Sequence, residues 1–498
     1  MVEFVLHFLL LSLLGVIIWL HKSMWRPRNF PPGPRWLPIV GNTPEIRREA
    51  RKLGGLHKVY AQWTEKYESP LLGMKMGGKL YVVGSTYDIV RDIHLREEFE
   101  GRPKNFFMRL RTMGSLRGIV CVDGPMWVEH RAFAVKHLRN AGYGRKPMEL
   151  AIVEEMKDIV AFIATQSSAE CGFWVGRHLA VSVLNVLWTF TAGKRLTRGD
   201  NRIQRLLTLL EDRSKAFDMS GGVLSQAPWI RFIAPEWSGF NIIQRFNEEL
   251  KSLLTDVIEE HHETYCEEKS SDDLIYAYIK EMKDKTSNPD STFTDIQLTM
   301  IILDIFIAGS QTTSNTLDVA LMILLLRPDV QEKIHREISE SGIRTPSPAD
   351  HGTLPYTEAF LMEVRRFFNI IPISGPRRTT QETTLGGYVI PKDTTILMSL
   401  YSVHMDPKHW GDPHNFRPER FLSADGEKVC NHEHLMAFGQ GKRRCLGDTL
   451  ARACIFTFFT GIVQKYELTP DPDALPDINL KPGITLSPKP YKIRFIER

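Results

Sequence analysis

The decapeptide FGQGKRRCLG, residues 438–447, gathers the residue types from which a reactive thiolate can be built. Cys445 directly follows Lys442, Arg443 and Arg444, and nearby positive charge favours thiolate over thiol. Gly439, Gly441 and Gly447 remove side chains around it, which leaves the backbone open to close approach by a flat ligand. The alternative is a small core cysteine beside a glycine turn, and the stretch alone slightly favours the thiolate. A second stretch, AGSQTT at 308–313, interrupts a long apolar run with Ser310, Gln311, Thr312 and Thr313. It reads either as a helix kink with satisfied hydroxyls or as a groove where a hydroxyl faces a bound ligand. A third, EVRR, places Glu363 and Arg366 three residues apart, hence on one face of a helix.

The elements that must position these residues are legible in outline. Thr294 or Asp295 can cap a helix running to about Leu326, about 48 Å long at 1.5 Å per residue. Being apolar on most sides, it belongs in the interior. Gly309 and the hydroxyls are expected to weaken its backbone ladder at 308–313. PLLGMKMG and KLYVVGS, within residues 70–85, read as a small antiparallel sheet. Helical periodicity dominates from about 120 to 370, for example in MELAIVEEMKDIVAFIATQ and NEELKSLLTDVIEEHHETY. Beyond it, ETTLGGYVIPKDTTILMSLYSV reads as strand, glycine turn, strand and helix start. The body is therefore mainly α with minor antiparallel β, and no break separates two independent domains.

Residues 4–20, FVLHFLLLSLLGVIIWL, are nearly all apolar. As a helix they span about 25 Å, slightly less than the ~30 Å hydrocarbon core, a deficit that flanking residues can cover. A cleaved signal peptide usually starts basic and ends in small residues. This segment starts with Glu3 and exits through the basic, bulky HKSMWRPR. An uncleaved anchor over 1–22 with the body in the cytosol is expected, a cleaved signal being the alternative. Trp19 and Trp25 suit a membrane–water interface. Pro31, Pro32 and Pro34 make 23–37 a stiff, basic hinge, and 38–498 is left as one body.

Composition narrows the classes. The chain has 498 residues, long enough for a large core, and a net charge of +4, too small for general nucleic-acid affinity. Its six cysteines show no CxxC pair and no regular spacing. That argues against a disulfide scaffold or zinc-finger array and for thiols in a reducing compartment.

Taken together, four stretches resemble the microsomal type of the cytochrome P-450 family, haem-thiolate monooxygenases, over essentially the whole chain. FGQGKRRCLG matches F-x-x-G-x-R-x-C-x-G. EVRR supplies E-x-x-R, followed by PERF with Arg420. AGSQTT is similar to A-G-x-(D/E)-T-T, and WVEHR contributes Trp127 and Arg131 as W-x-x-x-R. The resemblance implies haem b between the long central helix and the cysteine loop, with Cys445 as axial thiolate to the iron. Thiolate ligation pushes electron density toward dioxygen and favours O–O cleavage. It also implies that Trp127, Arg131, Arg377 and Arg443 bind the haem propionates, with Arg102 a further candidate. Phe438 and Gly439 would border the cofactor, and Gly439 and Gly441 would let the loop pass close to it. Glu363, Arg366 and Arg420 are implied to form a structural triad that retains the haem. Cys454, on the helix after the ligand, reads as core.

The resemblance assigns Thr312 to oxygen activation, through dioxygen or an ordered water. Where the family carries an acid, this chain has Gln311, which orients water but releases no proton. Asp304 reads as a local polar residue, with a distant relay as the alternative. No dinucleotide fingerprint or fused reductase domain is evident, so electrons come from NADPH through a separate partner. The resemblance implies the membrane-bound NADPH–cytochrome reductase, docked at Lys442 and Arg444, with cytochrome b5 a further candidate. It places the chain in the endoplasmic reticulum membrane.

Phe106, Phe107, Met108, Leu110, Met113, Phe306, Ala308, Ile371, Ile373, Ile484 and Leu486 form the expected substrate pocket, apolar and suited to an elongated lipophile. FEGRPKNFFMRLRTMG, HLRNAGYGRKPMEL and FIAGSQTTSNTLD are similar to insect members near the juvenile hormone epoxidases. Those oxidise methyl farnesoate or farnesoic acid at a terminal double bond. The alternatives are an insect hydroxylase of steroids, odorants or foreign compounds, and, given Gln311, a haem-thiolate isomerase or dehydratase that uses no dioxygen. A non-enzymatic haem binder would leave Thr312 and the basic loop without evident use.

Overall fold

A helix without a polar face has nowhere to go but the interior, and the AGSQTT helix becomes the axis of the molecule. The computed structural model describes residues 2–166, 171–217 and 221–498. Along the chain, the helices that bear on function are α1 (Val2–Ser23), α2 (Phe106–Arg111), α3 (Gly124–Asn140), α4 (Gly176–Ala192) and α5 (Asn201–Ala216). They are followed by α6 (Phe240–Glu263), α7 (Asp295–Leu326), α8 (Pro355–Phe367) and α9 (Asp448–Lys465). Thr294 caps α7, its side chain accepting from the Gln297 N–H at 3.2 Å. α4, α6 and α9 pack around α7 and bury most of it.

The ladder of α7 does not open at 308–313, contrary to the expectation from its composition. The helix runs unbroken, and Ser310 and Thr312 each bond back one turn. Ser310 Oγ donates to Phe306 O at 2.7 Å and Thr312 Oγ1 to Ala308 O at 2.9 Å. Gly309 serves a different purpose: a Cβ there would lie 2.4 Å from Leu187 Cδ2, so glycine lets α4 approach closely.

The sheet is more mixed than its local signals indicate. β1 (Leu71–Met76) and β2 (Lys79–Gly84) pair antiparallel, as expected. β3 (Ile373–Arg378) comes next in the chain, then a hairpin of β4 (Thr383–Leu385) and β5 (Tyr388–Ile390) turning at Gly386 and Gly387. β6 (Thr395–Ser399) joins β2 in parallel and β3 antiparallel, giving the order β1-β2-β6-β3. β7 (Tyr466–Pro470) and β8 (Ile493–Glu497) form a separate pair.

α1 stands apart from this body. Phe4–Ser23 is apolar, long enough to cross a membrane and unburied, whereas α7, which also has the length, is mostly buried core. The proline segment after it is pinned. Arg26 donates to the carbonyls of Pro31, Gly33 and Pro34 at 2.6–3.0 Å, and Gly73 N–H donates to Pro32 O at 2.7 Å. Removing residues 1–22 is therefore expected to weaken sedimentation with lipid vesicles while the body keeps its cooperative melt. Trp229, Phe232, Ile233 and Trp237 are exposed apolar residues on the body, and a residual attachment after truncation is expected to go through them. Loss of the cooperative transition on truncation would make α1 part of the folded core.

Candidate active site

The cysteine loop is shaped by a helix that sequence reasoning did not associate with it. Gly439 and Gly441 adopt φ of 65° and 70°, the left-handed region. A Cβ on Gly441 would lie 2.3 Å from the His94 carbonyl oxygen, and one on Gly439 3.2 Å from His94 Nε2. These glycines are thus demanded by packing on the Tyr87–Leu95 helix, whatever lies on the loop's other face. Cys445 N–H donates to Phe438 O at 2.9 Å, closing the loop.

Cys445 opens on a cavity of about 530 Å³ shared with Arg131, Tyr143 and Arg444. Surrounding protein pushes its thiol up. The Gly447 backbone, Arg131 and Arg444 act the other way, and Asp448 adds to the rise. The basic neighbours alone do not hold a thiolate here, whereas a coordinated metal ion deprotonates a thiol outright. Cys454 is fully buried, and desolvation pushes its thiol further up.

Behind the loop, Glu363 and Arg366 are both fully buried on α8. Arg366 Nε and Nη2 each donate to the Glu363 carboxylate at 2.7 Å. Arg420 Nε reaches Glu363 Oε1 at 3.2 Å, so the sequence-predicted triad is assembled. Its link to the cysteine is traceable. Arg366 Nη1 donates to His404 O at 2.8 Å, and His404 Nε2 accepts the Met436 N–H at 3.0 Å. Burial and the nearby Arg366 charge hold His404 down at about 3, so its ring is neutral and free to accept. Gly439 N–H then donates to Met436 O at 2.9 Å.

On one side of the site, cations collect with Asp123 and Glu100 nearby but unbonded to their guanidinium groups. Arg443 lies 3.7 Å from the Trp127 ring centroid and donates to the carbonyls of Val122 and Glu100, both at 2.9 Å. Arg102 donates to Pro376 O at 2.8 Å, and buried Arg377 reaches Phe99 O at 3.5 Å. No carboxylate bonds any of these three guanidinium groups among the described residues. Burial pushes Arg377 and Arg443 down to about 9, and Arg102 adds to both. The Nε atoms of Arg102 and Arg443 and the Trp127 indole N–H are buried and unpartnered. Such a cluster calls for carboxylates, which guanidinium forks match in geometry. Arg131 joins it by packing on Trp127 and donating to Arg444 O at 2.7 Å. The donor set fits a flat macrocycle with two carboxylates and a metal held by Cys445.

The other wall is α7. Ala308 is exposed on an otherwise buried helix, and Thr312 is half-buried one turn on. Thr312, Ile371 and Phe438 line one small cavity. Gln311 lines another, with Ser314, Asp318 and Thr485, because successive helical residues point about 100° apart. The expected substrate residues divide. Ile373, Ile484 and Leu486 line a cavity of about 410 Å³ with Phe217. Phe106, Leu110 and Met113 line one of about 470 Å³ under α6. Phe107 packs on Phe217 with ring centroids 5.0 Å apart, and Met108 is buried in the same cluster. Phe306 is a correction: it is fully buried against Trp188 of α4 and belongs to the central core. It points away because it lies two residues from Ala308 on a helix.

One further expectation changes. Lys442 and Arg444, read as docking charges, are both paired: Lys442 with Glu97 at 2.6 Å and Arg444 with Asp448 at 3.1 Å. Arg139 and Arg145, which line the cavity at Cys445, were not singled out. Asp304 accepts from Arg111 Nη1 at 2.7 Å and from the Ile119 and Val120 N–H groups, both at 2.8 Å. It is thereby committed to local structure.

A family model described as Cytochrome P450 matches residues 31–495. "Probable cytochrome P450 305a1" of Drosophila melanogaster is 49% identical, covering 99% of each chain. "Farnesoate epoxidase" of Bombyx mori is 36% identical over 94% of each. "Cytochrome P450 2J1" of Oryctolagus cuniculus is 33% identical over 98% of this chain and 96% of its own.

Proposed function

The chain belongs to the cytochrome P450 family of haem-thiolate monooxygenases, and on that premise we propose that it epoxidises an elongated sesquiterpenoid at the endoplasmic reticulum membrane. The observation that carries the substrate is the likeness to a farnesoate epoxidase, supported by the apolar cavities at Ile484 and Phe106. Residues 1–22 serve as the anchor, 23–37 as the hinge and 38–498 as the cytosolic catalytic body. Electrons come from NADPH–cytochrome reductase, with cytochrome b5 a second donor. The cationic surface at Arg139 and Arg145 is a better docking face than the paired Lys442.

Bound haem supplies reductive activation of dioxygen and transfer of one oxygen atom to substrate, the other leaving as water. The chain's own residues prepare the site. With haem bound, Cys445 would supply the thiolate ligand to the iron, and Arg102, Arg377, Arg443, Arg131 and Trp127 would hold the propionates. Phe438 and Ile371 keep the Thr312 side apolar and limit water. Thr312 Oγ1, now bonded to Ala308 O, is the hydroxyl placed to accept and pass a proton through water. Gln311 lines a separate cavity and holds no exchangeable acid, so Thr312 works without a neighbouring carboxyl.

Full-length protein with reductase, NADPH and dioxygen is expected to convert methyl farnesoate or farnesoic acid to a product one oxygen atom heavier, read by mass spectrometry. A product formed without NADPH or dioxygen would instead establish the isomerase chemistry. Thr312→Ala is expected to lower product per NADPH by about tenfold, with peroxide rising in its place. Unchanged coupling in that variant removes Thr312 from proton handling.

A further inference from the structure

One buried charge takes no part in the chemistry above. Arg213 lies near the end of α5 and is 3% exposed. Its guanidinium makes no hydrogen bond or ion pair among the described residues, and its Nε is buried and unsatisfied. Among the described residues it packs on the Phe246 ring of α6, 5.4 Å from the ring centroid. Burying an unpaired charge is costly, so a protein retains one only where something else meets it.

The neighbours do not neutralise it. Arg111, Cys121 and Asp304 are within electrostatic reach. Arg111 repels it, and the Asp304 carboxylate is already taken by Arg111 and two backbone N–H groups. Burial raises Cys121, which therefore stays a neutral thiol. Two buried cations thus face one carboxylate. Burial, with Arg111 adding, holds Arg213 down at about 9, still charged at neutral pH.

Lys215, Ala216 and Phe217, which follow it, border the cavity at Ile484. On the same turn of chain, Ser214 O accepts from Ile484 N–H at 3.0 Å, and Phe217 packs on Phe107. Asp304 lies one turn before Ala308 on α7, about 12 Å along the axis from Thr312. A ligand bonded to Arg213 and reaching Thr312 would be long, apolar along its length and anionic at the far end.

We propose that Arg213 binds the carboxylate of an elongated lipophilic acid, so that this enzyme takes free acids in preference to their esters. The inference rests on the monooxygenase reading but not on the terpenoid skeleton. Free acid would complete the missing pair with a charge-assisted, bidentate bond, whereas an ester leaves the guanidinium unpaired.

The test is equilibrium dialysis of holoenzyme against two matched pairs: farnesoic acid with methyl farnesoate, and dodecanoic acid with methyl dodecanoate. Each acid is expected to bind about tenfold or more tighter than its ester. In Arg213→Met that ratio should collapse toward one, while Arg213→Lys should keep part of it. The ligand-free Arg213→Met protein should melt no lower than wild type, because an unpaired buried charge is removed. Acid preference with dodecanoate alone would uphold Arg213 and overturn the sesquiterpenoid reading. Equal binding of acid and ester in wild type overturns the role of Arg213 even if every variant fails to fold, as does failure of both acids to bind.

Discussion

Cys445→Ser is expected to abolish the red-shifted Soret band that thiolate ligation gives the reduced carbon monoxide complex, and with it all NADPH-dependent turnover. Serine keeps the loop geometry: the Cys445 N–H bond to Phe438 O and the left-handed glycines do not depend on sulfur. What changes is the ligand. An alkoxide donates less readily to iron at neutral pH and cannot push electron density toward dioxygen as a thiolate does. The effect belongs to this position. Cys454 is a fully buried core thiol, and Cys121 bonds Arg111, so serine at either should leave the band in place. A Cys445→Ser protein that retains the band would show that another group ligates the iron.

The second large effect falls on residues that never touch substrate. Arg366→Leu leaves the Glu363 carboxylate buried with Arg420 and the Arg417 N–H, both on Oε1, and takes away both of the Arg366 bonds. Breaking one partner of a buried pair costs about 3–5 kcal/mol. Arg366 also holds the His404 carbonyl, and His404 holds Met436, two residues before Phe438. The loss should therefore appear as missing haem before it appears as an unfolded chain: low haem-to-protein ratio, with helix content by circular dichroism largely kept. Replacing the exposed Lys442 controls for charge near the loop and should spare haem content. Full haem occupancy in Arg366→Leu would cut the triad's connection to the cysteine loop.

Much of this architecture is written locally. The Thr294 cap, the extent of α7, the apolar α1 and the Leu71–Gly84 hairpin follow from side-chain periodicity and cap chemistry, which operate over a few residues. The triad was legible because i,i+3 spacing fixes Glu363 and Arg366 on one face. The helix ladder at 308–313 was misjudged because composition does not show whether a hydroxyl bonds back to its own helix. Arg213 had a signal. It continues the stripe Ile203, Leu206 and Leu210, all buried, where a charged residue is out of place. In LLEDRSKAF, between Asp212 and Lys215, it still looks like one more surface cation.

By itself, then, the sequence determined most element types, the apolar N-terminal helix and the family, since each rests on contiguous or regularly spaced residues. Only tertiary structure decided which charges have partners. Arg102, Arg377 and Arg443 come from three separate segments, and that no carboxylate among the described residues bonds their guanidinium groups appears only when the chain closes. The same holds for β6 joining β2 in parallel, for His94 filling the space beside Gly441, and for Asp304 being spent on Arg111 rather than on Arg213. The physical reason is common to all of them. A charge or a missing side chain acquires its meaning from what lies within a few ångströms, and in a folded chain those neighbours are set by packing.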